Sequence, residues 1–179
     1  VAHVPEDRQR MGIISDFSAS ESALLGYQND KEINQGVWLK RSSVKANCES
    51  IMEAFDVRPT NPDLKSSNFS GGNQQKLILA REFERDPEVL IIGQPTRGVD
   101  IGAIEFIRKR IIKMRDAGKA IILISVELEE IMSISDRIIV MCDGEITGTV
   151  DAAKADEATL GMMMANALPS DKKITEAQL

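Results

Sequence analysis

The sequence predicts an α/β fold with a mostly parallel sheet, preceded by a helical, polar region. Three observations carry that prediction. Val89-Leu90-Ile91-Ile92 and the run from Ala120 to Ser125 are short, continuous apolar stretches, the pattern of strands buried on both faces. Between them Ile104, Ile107, Ile111 and Met114 recur at helical spacing. Residues 16–86, by contrast, lean to helix and are polar, with loop signals at Asn29-Asp30, Arg58-Pro59 and Asn61-Pro62.

Each element follows from local chemistry. The first residues, Val1-Ala2-His3-Val4-Pro5, match neither a signal peptide nor an initiator methionine, and read as the middle of a longer polypeptide. Ser70 is placed to cap a helix running through Leu77, Ile78, Leu79, Ala80, Arg81 and Phe83. Asp100 is placed to cap the Ile104–Met114 helix, and Gly118 to end it. Residues 127–133 read as a helix and 137–141 as a third strand. Asp143-Gly144 reads as a tight turn into a strand over 145–150. Strands alternating with helices over short connections imply right-handed crossovers and a parallel sheet, with ligands at the carboxyl ends of the strands. After Asp151 a small apolar helix is expected over Leu160–Ala167, then a polar end from Pro169.

Composition narrows the function classes. The chain has 179 residues, enough for one sizeable core, and a net charge of −6, which disfavours nucleic acid as a partner. No stretch approaches the ~18 uninterrupted apolar residues of a membrane span, so membrane association must run through a partner. Cys48 and Cys142 lie far apart, as in a reduced cytosolic protein with buried thiols; with the single His3 they are too few for a metal site.

The chemistry concentrates in two stretches. In Ser70-Gly71-Gly72-Asn73-Gln74-Gln75-Lys76 the glycines let a backbone approach a ligand closely. The free N–H groups of the helix start favour a phosphate. Alone, such a turn equally starts an ordinary helix. Some twenty residues later comes Val89-Leu90-Ile91-Ile92-Gly93-Gln94-Pro95-Thr96-Arg97-Gly98-Val99-Asp100.

Together these stretches resemble the ATP-binding-cassette (ABC) family. Ser70-Gly71-Gly72-Asn73-Gln74 resembles its signature motif, 89–94 its Walker B strand, and Gly98-Val99-Asp100 its D-loop. Val4-Pro5-Glu6 falls at its Q-loop, and Ile124-Ser125-Val126-Glu127 at the end of its switch-histidine strand. Val-Pro-Glu-Asp-Arg at 4–8 and Pro-Thr-Arg-Gly-Val-Asp at 95–100 look like the second cassette of tandem-cassette sugar and nucleoside importers. Gln94–Gly98 with Gly102–Ile107 is similar to the nucleoside-importing branch.

The resemblance implies a partial P-loop ATPase core with a helical subdomain. Its parts would be a Q-loop-like entry over 1–15, a helical subdomain over 16–86 ending in the signature and its helix, the second half of the core over 87–150, and a C-terminal helix and tail over 151–179. It also exposes gaps. The Walker A loop G-x-x-x-x-G-K-[S/T] is absent. Gly93 and Gln94 stand where the family has a metal-supporting Asp and a water-polarising Glu, and Val126 where it has the switch histidine. An amide can orient a water but cannot accept its proton, and losing a general base costs about 10²–10⁴ in rate. Glu6 stands in place of a Gln that contacts metal and water, and a carboxylate can still bind Mg²⁺.

An intact signature beside these replacements implies an asymmetric pair. Ser70, Gly71, Gly72, Asn73 and Gln74 would complete an ATP site whose ATP and Mg²⁺ are held mainly by a second cassette in the same polypeptide, with Glu6 and Asp100 contributing. The resemblance also implies permease subunits, indirectly a substrate-binding lipoprotein, and a place on the cytoplasmic face of the cell membrane. The parent would be an ATPase, and this segment itself not hydrolytic. The alternatives are an active ATPase half-domain and a non-transport member working in translation or DNA repair. Asp100 reads as helix cap, D-loop contact or both, and Arg97 as a phosphate or partner contact or a surface ion pair. Trp38 reads equally as a local core anchor or a docking residue, and Met162, Met163 and Met164 as helix packing.

Overall fold

The structure, a computed structural model, describes residues 1–167 apart from 32, 36 and 37. They form two compact units, Val1–Ile122 and Leu123–Leu179. The expected polar end from Pro169 lies outside the described residues.

In the first unit β1 (Ala2–Val4) pairs in parallel with β4 (Val89–Gly93), in the register Ala2 to Leu90 and Val4 to Ile92. Val4, Leu90 and Ile92 are fully buried, whereas Val89 and Ile91 are half-buried, so β4 is fully covered on one face only and not on both as the apolar run predicts. The strand order is β1-β4-β5, with β5 spanning Ala120–Ile124. Here burial departs from expectation, because Ile122 and Ile124 are more than half exposed. β5 ends the strand order, so among the described residues one of its edges has no neighbour.

Three helices pack together beside β1: α1 (Ala19–Leu24), α2 (Arg41–Ala54) and α3 (Gly71–Phe83). Ser18 caps α1 in a reciprocal box with Glu21, and the bonds from Ser18 hold the Glu21 carboxyl below its usual range. Phe55, at the end of α2, meets Phe83 edge-on at 6.0 Å and Phe106 at 5.5 Å. Phe106 lies on α4 (Ile101–Asp116), whose Ala103, Ile107 and Ile111 form the buried stripe. Gly118 ends α4 at φ +86°, its N–H donating to Arg115 O, in the left-handed conformation that glycine tolerates. Between α1 and α2 lies a small antiparallel pair, β2 (Asn34–Gln35) and β3 (Trp38–Leu39). Trp38 is 78% exposed there, which removes the core-anchor reading. Cys48 is buried, and burial, aided by Glu49 and Asp63, pushes its thiol up to about 12.

In the second unit α5 (Leu128–Ile134) is followed by β6 (Arg137–Cys142) and β7 (Glu145–Asp151). β6 is not a third parallel strand: it pairs antiparallel with β7 in a separate two-stranded sheet. In the two-residue turn between them Asp143 at φ +50° and Gly144 at φ +82° return the chain directly onto its neighbour. α6 (Glu157–Met164), capped by Asp156, lies against this hairpin and begins three residues before the expected Leu160. Ile138, Val140, Leu160 and Met163 form the core. Gly148 admits Met163, since a Cβ there would lie 2.6 Å from its Sδ. Met162 and Met164 face outward, and Cys142 is half-buried where a buried thiol was expected. No helix among the described residues is long and apolar enough to cross a membrane.

Candidate functional site

The glycine-rich turn opens α3 as its sequence predicts. Ser70 caps the helix by accepting from the Asn73 N–H at 3.4 Å. Asn73 then works on both sides of the turn. Its Nδ2 donates to Ser70 Oγ at 3.0 Å, and its Oδ1 accepts the Arg58 N–H at 2.8 Å. Ser70 is exposed and Gly71 and Gly72 are half-exposed, so the start of the helix is open to a ligand. Gln74 is different. It is 6% exposed, and its amide turns inward to donate to Ser66 O at 3.0 Å.

Behind this turn α3 is braced by a buried network. Arg81 pairs with Glu82 at 2.7 Å and donates to Gly12 O and Ser22 O, both at 2.9 Å. The Tyr27 hydroxyl donates to Glu82 at 2.7 Å. Burial, then that bond and the charge of Glu82, pushes Tyr27 up to about 12, so it remains a donor at neutral pH. The carbonyl of Gly12 belongs to a π-helical turn, Arg8–Gly12, capped by Asp7. The network therefore locks the signature-like helix to the segment following Glu6.

The strand end is built otherwise. A Cβ at Gly93 would lie 3.0 Å from the Glu6 backbone nitrogen and 3.3 Å from its Cβ, tighter than most real contacts. A side chain carrying a metal ligand would have to push Glu6 away. Gln94 is 8% exposed and left-handed at φ +49°, a conformation that costs a non-glycine residue about 1 kcal/mol or more. It turns the chain sharply, and the Arg97 N–H donates to Gln94 O at 3.2 Å. The carboxylate of Glu6 accepts from Arg97 Nη1 at 2.9 Å in an exposed ion pair. That is the surface-pair reading of Arg97, and it engages one oxygen of the Glu6 carboxylate.

Asp100 caps α4 by accepting the Ala103 N–H at 2.9 Å, and lies 3.9 Å from Lys76 Nζ on α3. Among the described residues no three His, Cys, Asp or Glu side chains gather as a metal site. The α3 start, by contrast, is a helix N-terminus open to an anion such as a phosphate. Gly72 lies against the 98–99 turn, with its Cβ position 3.5 Å from Gly98 O, so the signature-like turn and the 97–100 turn share one surface. Val126 belongs to the other unit, where it is 66% exposed and Ser125 Oγ accepts the Glu127 N–H.

Sequence reading passed over Arg8. Its Nη1 donates to Arg97 O at 3.0 Å, and its guanidinium lies against Gly71 and Gly98. The only sequence signal was its place at the end of Val-Pro-Glu-Asp-Arg, since nothing local announces a contact 89 residues away.

No family model matches the chain. It is 44% identical over 164 residues to the nucleoside import ATP-binding protein NupA of Lactococcus lactis, a match covering 92% of this chain and 32% of that protein. It is 42% identical to the guanosine import ATP-binding protein NupO of Bacillus subtilis, over 92% of the chain and 32% of that protein. To the glucose import ATP-binding protein TsgD13 of Haloferax volcanii it is 43% identical, over 92% of the chain and 30% of that protein. The chain spans about a third of the length of these relatives. Its fold is that of MJ0796, a bacterial ABC transporter cassette solved as a dimer, with TM-score 0.68 at 22% identity over 85% of this chain and 62% of that one.

Proposed function

The chain belongs to the ATP-binding-cassette family of import ATP-binding proteins, and from that premise we propose that it is a degenerate cassette whose signature turn completes a partner's ATP site. One contrast carries the reading: an exposed, capped, glycine-rich helix start stands beside a strand end that carries Gly93, with no ligand atom, packed close against Glu6. Ser70, Gly71 and Gly72 would face the phosphates of a nucleotide held elsewhere, offering N–H donors and the positive end of α3. Asn73 and Gln74 would act from behind, holding Ser70 and the 66–68 turn. Asp100 would meet the partner across the interface while capping α4.

The hydrolytic parts would belong to the partner. Gly93 offers no metal ligand, Gln94 no general base, and Val126 no donor to a γ-phosphate. ATP and Mg²⁺ are therefore assigned mainly to the second cassette, in the same polypeptide, where relatives about three times longer than this chain leave room for it. The assembly would sit on the cytoplasmic face of the membrane through permease subunits, and receive solute from a substrate-binding lipoprotein. Nucleosides are the proposed solute, because NupA and NupO, two of the strong matches, are named for nucleoside and guanosine import.

The test is steady-state ATP turnover by the assembled transporter carrying Gly71→Asp. A carboxylate at that position would stand against the Arg8 guanidinium at the phosphate-facing turn, displacing Arg8 and repelling the phosphate opposite. Turnover should collapse; unchanged turnover would overturn the reading and leave the turn a structural helix start.

A further inference from the structure

We propose that Arg8 is a positioning residue: it holds the signature turn in register with the 97–99 turn, and the nucleotide affinity of the completed site depends on it. The proposal rests on the reading above and adds a residue to that same site.

The base of Arg8 is fixed. Asp7 caps its turn by accepting from Gln9 and Arg10 N–H groups at 3.1 and 3.0 Å. The other end of the turn is pinned to α3, through Arg81 bonded to Gly12 O and through Gly12 packed on Ile78, whose Cδ1 would lie 2.5 Å from a Cβ at Gly12. From this base the guanidinium reaches into the space between two loops. Nη1 donates to Arg97 O at 3.0 Å. A Cβ at Gly71 would lie 2.5 Å from Nη2, and one at Gly98 would lie 3.4 Å from either terminal nitrogen. Two glycines from different loops thus border one planar group. Among the described residues Nε is out of water and has no hydrogen-bond partner, so the contacts around the fork define its place.

Glu6 completes the arrangement from the same short segment. Arg8 holds the main chain of residue 97 while Glu6 holds its side chain. The Glu6–Arg97 pair is exposed and screened by solvent, and the Arg8 bond to Arg97 O is charge-assisted from a half-buried guanidinium. A planar fork fits a slot between two glycine turns; a lysine ammonium could reach the carbonyl but would not fill the slot.

Because the reacting groups belong to the partner, displacing the signature turn should weaken nucleotide binding and leave the chemical step alone, a KM effect. In the assembled transporter Arg8→Ala should raise the KM for ATP about tenfold with kcat nearly constant, and Arg8→Lys should recover part of that loss. Gly71→Ala should raise KM similarly by pushing Arg8 aside. Joined to Arg8→Ala it should add about twofold or less, since the group it displaces is gone. Gly71→Asp serves as the control for the underlying reading. If Gly71→Asp abolishes turnover while Arg8→Ala leaves KM within twofold, the role of Arg8 is overturned and the signature reading stands. If the Gly71→Ala and Arg8→Ala effects simply multiply, or kcat and melting temperature fall together at constant KM, Arg8 does not position the turn. If Gly71→Asp leaves turnover unchanged, the underlying reading itself has failed.

Discussion

The turn at 70–76 and the turn at 93–100 belong to one unit and share a surface, yet they treat their polar groups in opposite ways. At the first, the ligand-facing atoms stay open, and the bracing is done from behind by Asn73, Gln74 and Arg81. At the second, the glycine is covered by the Glu6 backbone, the amide of Gln94 is buried, and the nearby carboxylate is tied to Arg97. A helix start keeps its anion-binding power as long as its first N–H groups remain uncovered. A glycine at a strand end lets a neighbouring backbone pack close, as Glu6 does at Gly93.

The sharpest test of this contrast sets Gly71→Asp against the pair Gly93→Asp and Gln94→Glu. Gly71→Asp should cut turnover of the assembled transporter on the order of 10²-fold or more, the scale of a lost or reversed charge-stabilising contact. The restoring pair should change it less than about twofold, because a Cβ at 93 already meets Glu6. A clear gain from the restoring pair would break the comparison. Next in size, Ser70→Ala should remove about 1 kcal/mol of stability with the cap, read as a lower urea midpoint at constant slope. A neutral result would mean that Asn73 holds the turn without Ser70. Gln94→Gly should raise stability by about 1 kcal/mol, by relieving the left-handed backbone. A loss instead would show that the buried amide is worth more than the strain. Smallest of all, Glu6→Gln should shift stability by about 0.5 kcal/mol or less, as for an exposed pair. It should also leave the Mg²⁺ concentration for half-maximal turnover unmoved; a shift there would make Glu6 a metal ligand and reopen the strand end.

Much of the fold was legible in advance, for reasons specific to each element. Ser70, Asp100 and Gly118 bound their helices because caps depend on atoms three or four residues away. Asp143-Gly144 closed its hairpin because two consecutive positive-φ residues permit little else. The strand expected as a third parallel one is instead half of that hairpin, since the periodicity of 137–141 identifies a strand but not its neighbour. Continuous apolar character likewise marked β5 without saying that Ile122 and Ile124 would stand more than half exposed. Trp38 could be read either way until its exposure was known.

The sequence by itself determined the family, the order of the motifs and the presence of Gly93, Gln94 and Val126 at the strand ends, because those depend only on which residue occupies which place. Only the tertiary structure decided that Glu6 closes over Gly93 and pairs with Arg97, that Gln74 turns inward, and that Arg8 lies between Gly71 and Gly98. These contacts join segments up to 91 residues apart, and which distant groups meet is set by the packing of α3 on β1 and the Arg8–Gly12 turn, not by any local preference of the chain.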